Sequence, residues 1–261
     1  MISMKISKIE KKKRLYLVEM DDSEKLYVTE DTIVRFMLSK GMTITADQLR
    51  QIQEFAHYSH GKNLALYHIS FQVRTKNEVK KYLEKHEIDS ATIEQVITDL
   101  EKDKWLDDRK YVESYVRQNE LNGDKGPMIL KQKLMQKGIS SHYIEQELQN
   151  NDFTEIADKV ANKIIKKFQG KLPPKALQDK LTQQMVSKGF SFDQIKSVKA
   201  TFDFNEYDDN TDDLLGKELE KAYRKYSRKY DGYDLKQRLF QALYRKGFDS
   251  DDINRELREY L

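Results

Sequence analysis

Hydrophobic positions recur along this chain in a fixed pattern around a Lys-Gly step. The step occurs at Gly138, Gly189 and Gly247, and a degenerate copy is centred on Glu87. Neighbouring centres are 51, 51 and 58 residues apart. Apolar residues lie eight and four positions before each centre and an isoleucine lies six positions after it, which gives the sets Val79, Leu83 and Ile93; Leu130, Leu134 and Ile144; Leu181, Met185 and Ile195; Leu239, Leu243 and Ile253. This self-similarity predicts a tandem array of four repeats.

Each repeat is predicted to contain three helices. In the third helix of the first repeat, the apolar residues Ile93, Val96, Ile97 and Leu100 share one helical face. The second helix is expected to end at the Lys-Gly step, because glycine readily adopts the left-handed conformation and lysine favours the negative end of the helix dipole. We therefore interpret the step as the turn between two consecutive helices and do not expect the glycines to contact a partner.

The N-terminal region has a different pattern, with short stretches of β-prone residues. These stretches are Met4–Ile9, Leu15–Met20 and Lys25–Thr29, and the polar run Asp21–Ser23 is a turn signal between the last two. They predict a three-stranded meander.

Two helices are expected between the meander and the repeats. One is predicted at Glu30–Leu38, with Thr29 as its N-cap and Gly41 as its stop signal. The other is predicted to begin behind Thr45, and the segment His57–His60 is expected to lead into the array.

The pattern as a whole predicts a mainly α protein. We expect tandem three-helix repeats that form an elongated, curved array, preceded by a small N-terminal β-meander. The expected divisions are an N-terminal region at 1–60 and repeats at 61–106, 107–151, 152–204 and 205–261, the last of which begins with an acidic linker at Asn205–Asp213.

Composition narrows the possible classes of protein. Among 261 residues, 35% are charged and 38% are hydrophobic, which suits short amphipathic helices that share thin cores. There is no cysteine, so disulfides and thiolate chemistry are excluded. Because no apolar run approaches the length of a membrane span, we expect no membrane partner and a cytoplasmic location. The net charge is only +3, so any electrostatic binding must come from local patches.

Signals for catalysis are weak. Asp107 and Asp108 are the best carboxylate pair, but neighbouring residues on a helix point about 100° apart, so we expect them to cap a helix and not to hold a metal. His57 and His60 could share a helical face, yet no third ligand lies at a suggestive spacing. No phosphate-binding glycine loop occurs. The sequence therefore predicts a binding protein that is not an enzyme and has no cofactor or metal.

Clusters of basic residues are the stronger candidates for function. Solvated surface interleaved with acids is the alternative interpretation of each single cluster. Their recurrence in successive repeats favours an extended basic strip that binds an anionic or mixed-charge partner. The candidate contact residues are Arg109, Lys131, Lys133, Lys137, Lys163, Lys166, Lys167, Arg224, Lys225, Arg228 and Lys229.

Two segments carry a family resemblance. The first is W-L-D-D-R-K-Y-V-E-S-Y-V-R at Trp105–Arg117, and the second is G-P-M-I-L-K-Q-K-L-M-Q-K-G-I at Gly126–Ile139. Through them the chain resembles the RecX family of RecA regulators, with one mild departure at Val112, where the family has a small residue. The matching positions are Leu106, Asp107, Asp108, Tyr111, Leu134, Lys137, Gly138 and Ile139.

The resemblance implies a long form of the family, with an N-terminal extension and four repeats. It further implies a non-enzymatic, monomeric regulator that binds RecA and its DNA filament along the helical groove and inhibits the recombinase and co-protease activities. Weak direct binding to DNA is also expected. The resemblance implies structural roles for the motif residues Leu106, Asp107, Asp108, Tyr111, Gly138, Gly189 and Gly247.

Two other functions remain open from the sequence. Three-helix units with a tight turn also resemble DNA-reading helix-turn-helix modules, so a sequence-independent DNA-binding array that acts without RecA is the main alternative. A metal-dependent nuclease that uses Asp107 and Asp108 comes third.

Overall fold

The computed structural model describes residues 3–21, 24–204 and 210–261, and these residues are mainly helical. The expected turn residues 22–23 and the expected linker residues 205–209 lie outside the described residues. The strands are β1 Ser3–Lys12, β2 Leu15–Met20, β3 Lys25–Val28 and β4 Thr43–Thr45. The helices are α1 Glu30–Phe36, α2 Ala46–Phe71, α3 Lys76–Lys85, α4 Ser90–Lys102, α5 Asp108–Asn122, α6 Pro127–Gln136, α7 Ser141–Asn150, α8 Thr154–Phe168, α9 Pro174–Ser187, α10 Phe192–Lys199, α11 Thr211–Tyr226, α12 Gly232–Tyr244 and α13 Ser250–Tyr260.

The N-terminal sheet is antiparallel, with strand order β3-β2-β1-β4. The predicted meander β1-β2-β3 is confirmed. The fourth strand was not predicted, because β4 has only three residues and is defined by its pairing with residues 3–5 of β1, distant in sequence. One face of the sheet packs on the start of α2 through a core that includes Ile6, Val18, Val28, Ile44 and Ile52.

Capping residues set the ends of the first two helices. Thr29 caps α1 by accepting a hydrogen bond from the backbone N–H of Thr32. The helix ends at Phe36 because Met37 adopts the left-handed conformation with φ of 48°, so the predicted end at Leu38 was two residues late. Helix α2 begins behind Thr45, as predicted, and the structure shows in addition that Thr45 forms a capping box with Gln48.

Helix α2 is continuous for 26 residues, and the expected division between residues 60 and 61 falls inside it. Its first part carries Leu49 and Ile52 against the sheet, and its second part carries Ala65 into the core of the first three-helix group. Gly61 lies between these parts and packs closely beside Thr92 and Val96 of α4. The helix therefore serves both the N-terminal region and the first repeat.

After α1, the helices follow one another along the chain in four sets of three, which we call three-helix groups: α2–α4, α5–α7, α8–α10 and α11–α13. The apolar residues eight and four positions before and six positions after each repeat centre are all buried, and each is at most 2% exposed. The last group shows the arrangement, since Leu219 of α11, Leu239 and Leu243 of α12, and Ile253 of α13 lie in one cluster. The periodicity of the sequence thus identified the helix faces that are buried.

The chain divides into two compact units. One comprises Met1–Ser114 with Leu134–Ile144 and contains the sheet and the first three-helix group. The other comprises Tyr115–Lys133 with Glu145–Leu261 and contains the last two three-helix groups. Among the helices in the described ranges, none is both long enough and apolar enough to cross a membrane.

Candidate partner-binding surface

The Lys-Gly steps end the second helices of three groups, as predicted. Gly138, Gly189 and Gly247 have φ of 80°, 88° and 88°, which is the left-handed conformation. Each glycine N–H donates to the carbonyl three residues earlier in the last turn, at 2.9 Å in all three cases. Glu87, at the aligned position of the first group, has φ of 60°. The degenerate copy therefore has the same backbone turn without a glycine.

The same glycines also touch the preceding three-helix group, which the sequence did not reveal. A Cβ on Gly189 would lie 2.6 Å from a backbone nitrogen, and a Cβ on Gly138 would overlap a side chain. We call these contacts the first, second and third joints. They connect Gly138 to Asn77 of α3, Gly189 to Ile129 of α6, and Gly247 to Ala176 of α9.

Polar groups close the first joint. The carbonyl of Lys137 accepts hydrogen bonds from Thr75 Oγ1 at 3.0 Å and Asn77 Nδ2 at 3.2 Å. The ammonium of Lys137 lies 2.7 Å from Glu78 Oε1 and 5.3 Å from the ring centre of Tyr111. Burial lowers the pKa of Lys137, but the hydrogen bonds to Glu78 and Tyr111 outweigh it, so its pKa is raised. Lys137 is thus engaged in the joint.

The Leu-Asp-Asp segment at residues 106–108 caps the starts of two helices, α5 and α3. Leu106 is buried, and Asp107 Oδ1 accepts from the backbone N–H of Lys110 at 3.0 Å, which caps α5 as expected. Asp108 differs from the expectation. It is only 7% exposed, and its Oδ1 accepts from the backbone N–H of Lys76 at 2.9 Å, so it caps α3 instead. Burial raises the pKa of Asp108, against the opposing effect of the bond from Lys76.

The second joint uses backbone bonds and an ion pair. The N–H of Gly126 donates to the carbonyl of Lys188 at 2.7 Å, and the N–H of Met128 donates to the carbonyl of Gly189 at 3.1 Å. The Lys188 ammonium pairs with Asp124, and this hydrogen bond lowers the pKa of the Asp124 carboxyl. The lysines of the first two joints are therefore neutralised by Glu78 in the first turn of α3 and by Asp124 just before α6.

Three other predicted contact residues form ion pairs on the surface. Lys131 Nζ lies 2.6 Å from Glu145 Oε1. Arg109 and Arg224 pair with acids one helical turn away, at 3.5 and 3.2 Å. Exposed pairs of this kind contribute only about 0–1 kcal/mol to stability, so a partner could displace them at small cost.

The remaining predicted contact residues have no carboxylate within ion-pair distance in the part of the chain that the structure describes. Three of them, Lys163, Lys166 and Lys167, are exposed on α8 opposite its buried stripe, and we call them the α8 basic patch. Because their charges are not neutralised, they are the best placed to attract an anionic surface. The others are Lys133 in the last turn of α6, Lys225 in the last turn of α11, and Arg228 and Lys229 just after α11.

The histidines considered as ligands have other contacts. His57 Nε2 lies 2.7 Å from Asp89 Oδ2, and Asp89 in turn caps α4. Burial lowers the pKa of His60, with a contribution from His57 and His86. Within the described ranges, no group of three His, Asp or Glu side chains is arranged to hold a metal ion.

Comparison with known families gives matches along most of the chain. The profile "RecX, first three-helix domain" matches residues 62–100, and "RecX, second three-helix domain" matches residues 107–148. The profile "RecX, third three-helix domain" matches twice, at residues 151–198 and 210–257. The third and fourth three-helix groups therefore both resemble the same RecX domain.

Curated relatives and solved structures are similar over long ranges. Proteins named "Regulatory protein RecX" from Streptococcus gordonii and Streptococcus sanguinis are 62% and 61% identical over 99% of this chain and 100% of their own length. A structure titled "Crystal structure of regulatory protein RecX" covers 76% of this chain and 99% of its own, with 29% identity and a TM-score of 0.62. RecX from Lactobacillus salivarius covers 56% of this chain and 96% of its own, with 31% identity and a TM-score of 0.53.

Proposed function

The chain belongs to the RecX family of regulatory proteins, and we propose that it regulates RecA by binding the RecA–DNA filament along its helical groove. Bound there, it inhibits the recombinase and co-protease activities and so acts in DNA repair and the SOS response. It acts as a cytoplasmic monomer without catalysis or a cofactor. The observation that carries the proposal is the match of all four three-helix groups to RecX domains.

The distribution of charge supports this mode of binding. The α8 basic patch and the cations at the end of α11 lie on different three-helix groups, and their charges are not neutralised within the described part of the chain. Several separate basic patches can make many weak contacts with a repeating partner, and such contacts add up to high avidity without a deep pocket. We assign these patches to DNA phosphates or to acidic surfaces of RecA.

The joints support the proposal in a second way. The lysines at the first two joints are bound to Glu78 and Asp124, so the recurring lysine of the Lys-Gly step is engaged there in holding consecutive groups together. Contact with the partner is then left to the exposed helix faces. We therefore rank the α8 basic patch above Lys137 as a contact site.

Charge reversal of the α8 basic patch tests the proposal. The variant Lys163→Glu, Lys166→Glu, Lys167→Glu should inhibit the ATPase activity of RecA on single-stranded DNA more weakly than the unmodified chain. The inhibition that remains should depend less on salt, because fewer counterions are released on binding.

A matched control is available on helices of the first group. Lys81, Lys85 and Lys102 are exposed and form no ion pair among the described residues. Their triple change to glutamate alters net charge by the same amount, and it should leave inhibition much closer to that of the unmodified chain. Equal inhibition by the α8 variant and the unmodified chain would remove the patch from the account.

A further inference from the structure

The third joint differs from the other two in its charges. At the first two joints, the step lysine is neutralised across the joint by Glu78 or Asp124. At the third joint, Lys246 pairs with Glu218 of α11, within its own three-helix group, and Glu218 is shared with Lys221. No acid on α9 therefore neutralises the step lysine in the described structure.

Across the third joint, α9 presents cations where the other joints present acids. Lys175 lies in the first turn of α9 and Lys180 about one turn later, and neither forms an ion pair among the described residues. The positive end of the helix dipole adds to their field. Arg245, next to Lys246, donates its Nε hydrogen to the carbonyl of Gln241, and its guanidinium has no carboxylate partner within the described ranges.

These groups surround a pocket of about 510 Å³, named here the joint pocket. Among its described lining residues, four are cations and Asp179 is the one carboxylate; the cations are Lys175, Lys180, Arg245 and Lys246. The volume lies in the range of pockets that bind small ligands, roughly 300–1,000 Å³. A pocket with this excess of positive charge is suited to an anion with several negative charges.

Aromatic rings hold two of the cations in place without neutralising them. The Lys175 ammonium lies 5.2 Å from the ring centre of Tyr244, and the Lys180 ammonium lies 5.6 Å from that of Phe168. Tyr244 is half exposed and its ring is nearly parallel to that of Phe240. The pocket therefore combines oriented ammonium groups, a guanidinium and an exposed aromatic ring. That combination suits the phosphates of a nucleotide, because phosphate binds Lys and Arg strongly.

We propose that the joint pocket binds nucleotide phosphates, supplied either by a free nucleotide or by a single strand of nucleic acid. The pocket residues Lys175, Lys180 and Arg245 are separate from the α8 basic patch, and the inference does not depend on RecA. Phosphate binding would occupy the unneutralised side of the third joint and thereby hold the last two three-helix groups together.

The test uses the full chain without RecA and two probes at low salt. One probe is a fluorescent oligothymidylate followed by anisotropy, and the other is ATP followed by calorimetry. The unmodified chain should bind at least one probe. The variant Lys175→Gln, Lys180→Gln, Arg245→Gln should bind that probe at least about tenfold more weakly, and its salt slope for the oligonucleotide should fall by about 2 for three lost contacts.

The matched control is Lys81→Gln, Lys85→Gln, Lys102→Gln, which removes the same charge from exposed positions and should change the affinity by less than about twofold. Circular dichroism should show both variants folded. Pocket-dependent binding of the oligonucleotide alone identifies a strand as the source, and pocket-dependent binding of ATP identifies a free nucleotide. The proposal is overturned if the unmodified chain binds neither probe, or if the pocket and control variants bind alike. Because RecA is absent, either result leaves the proposed regulation of RecA standing.

Discussion

The residue at the repeat centre is usually glycine because neighbouring residues pack too closely for a side chain. The left-handed conformation alone does not require it, because Glu87 adopts φ of 60° with an exposed side chain. Close approach does require it at Gly138 and Gly189, where a Cβ would meet Asn77 or the backbone of Ile129. Glu87 belongs to the first group, which has no preceding three-helix group to press against it. The exception therefore follows from its position in the chain.

The variant Asp108→Ala tests whether Asp108 caps the start of α3. Asp108→Ala removes the acceptor of the Lys76 N–H and leaves a half-buried donor unsatisfied, so we expect a loss of about 1–3 kcal/mol in unfolding free energy. Asp107→Ala is the matched control, and it removes a more exposed local cap at a cost of about 0.5–2 kcal/mol. Urea denaturation followed by circular dichroism measures both. A smaller loss for Asp108→Ala than for Asp107→Ala would argue against the cap on α3.

Because its pKa is raised, Asp108 should make the unfolding free energy depend on pH. Its pKa is raised in the folded chain by burial, so the protonated form favours folding. This contribution is present below the unfolded pKa and is lost as pH rises through the folded pKa. Asp108→Asn keeps an acceptor oxygen without the charge, so it should lose less stability than Asp108→Ala at neutral pH. It should also gain relative to the unmodified chain as pH rises from acid to neutral.

At the scale of elements, the sequence was informative wherever local rules decide the outcome. The period of apolar residues identified the buried helix faces, and Thr45 marked the start of α2. Other elements depend on contacts between distant residues. Strand β4 exists through pairing with β1, and the cap from Asp108 to Lys76 joins positions 32 residues apart. No local pattern encodes such contacts.

For the candidate surface too, the sequence predicted what depends on local helical period and missed what depends on contacts between distant residues. The grouping of Lys163, Lys166 and Lys167 on one exposed face follows from helical period alone. The pairing of Lys137 with Glu78 and Tyr111 does not, since it depends on how α6 meets α3. The domain divisions remain proposals, and we propose that α2 belongs to both the N-terminal region and the first repeat.

The second joint can be tested by adding one methyl group. Gly189→Ala places a Cβ 2.6 Å from the backbone nitrogen of Ile129, whereas Gly41→Ala, at a similar φ of 89°, meets nothing within 4 Å. Both changes incur the left-handed strain of about 1–2 kcal/mol. We expect Gly189→Ala to lose about 1–3 kcal/mol more through overpacking.

Hydrogen exchange localises the effect of these variants. In Gly189→Ala, the amides of Gly126 and Met128 should exchange faster, because their acceptors are the carbonyls of Lys188 and Gly189. In Gly41→Ala the same amides should be unchanged. Equal thermal stability and equal exchange in the two variants would show that the glycine contact does not hold the joint.

Over the whole molecule, the chain combines an N-terminal antiparallel sheet with four three-helix groups. The first two joints use the step glycines and lysines for contacts within the chain, whereas the cations proposed to bind a partner lie on α8, near the end of α11 and in the joint pocket at the third joint. The residues that build the array and those proposed to bind a partner are thus largely separate. Variants of the binding surface should therefore fold normally, so their effects on activity can be interpreted directly.

The affinity of the labelled chain for RecA filaments formed on single-stranded DNA, compared with its affinity for the same DNA without RecA, tests the proposed regulation of RecA most directly. Binding to the filament should be tighter, because contacts with RecA protomers add to any contact with DNA. The complex should also weaken with salt, and less steeply for the charge-reversed α8 variant. Binding to the filament that is no tighter than binding to DNA alone would contradict the proposed regulation of RecA.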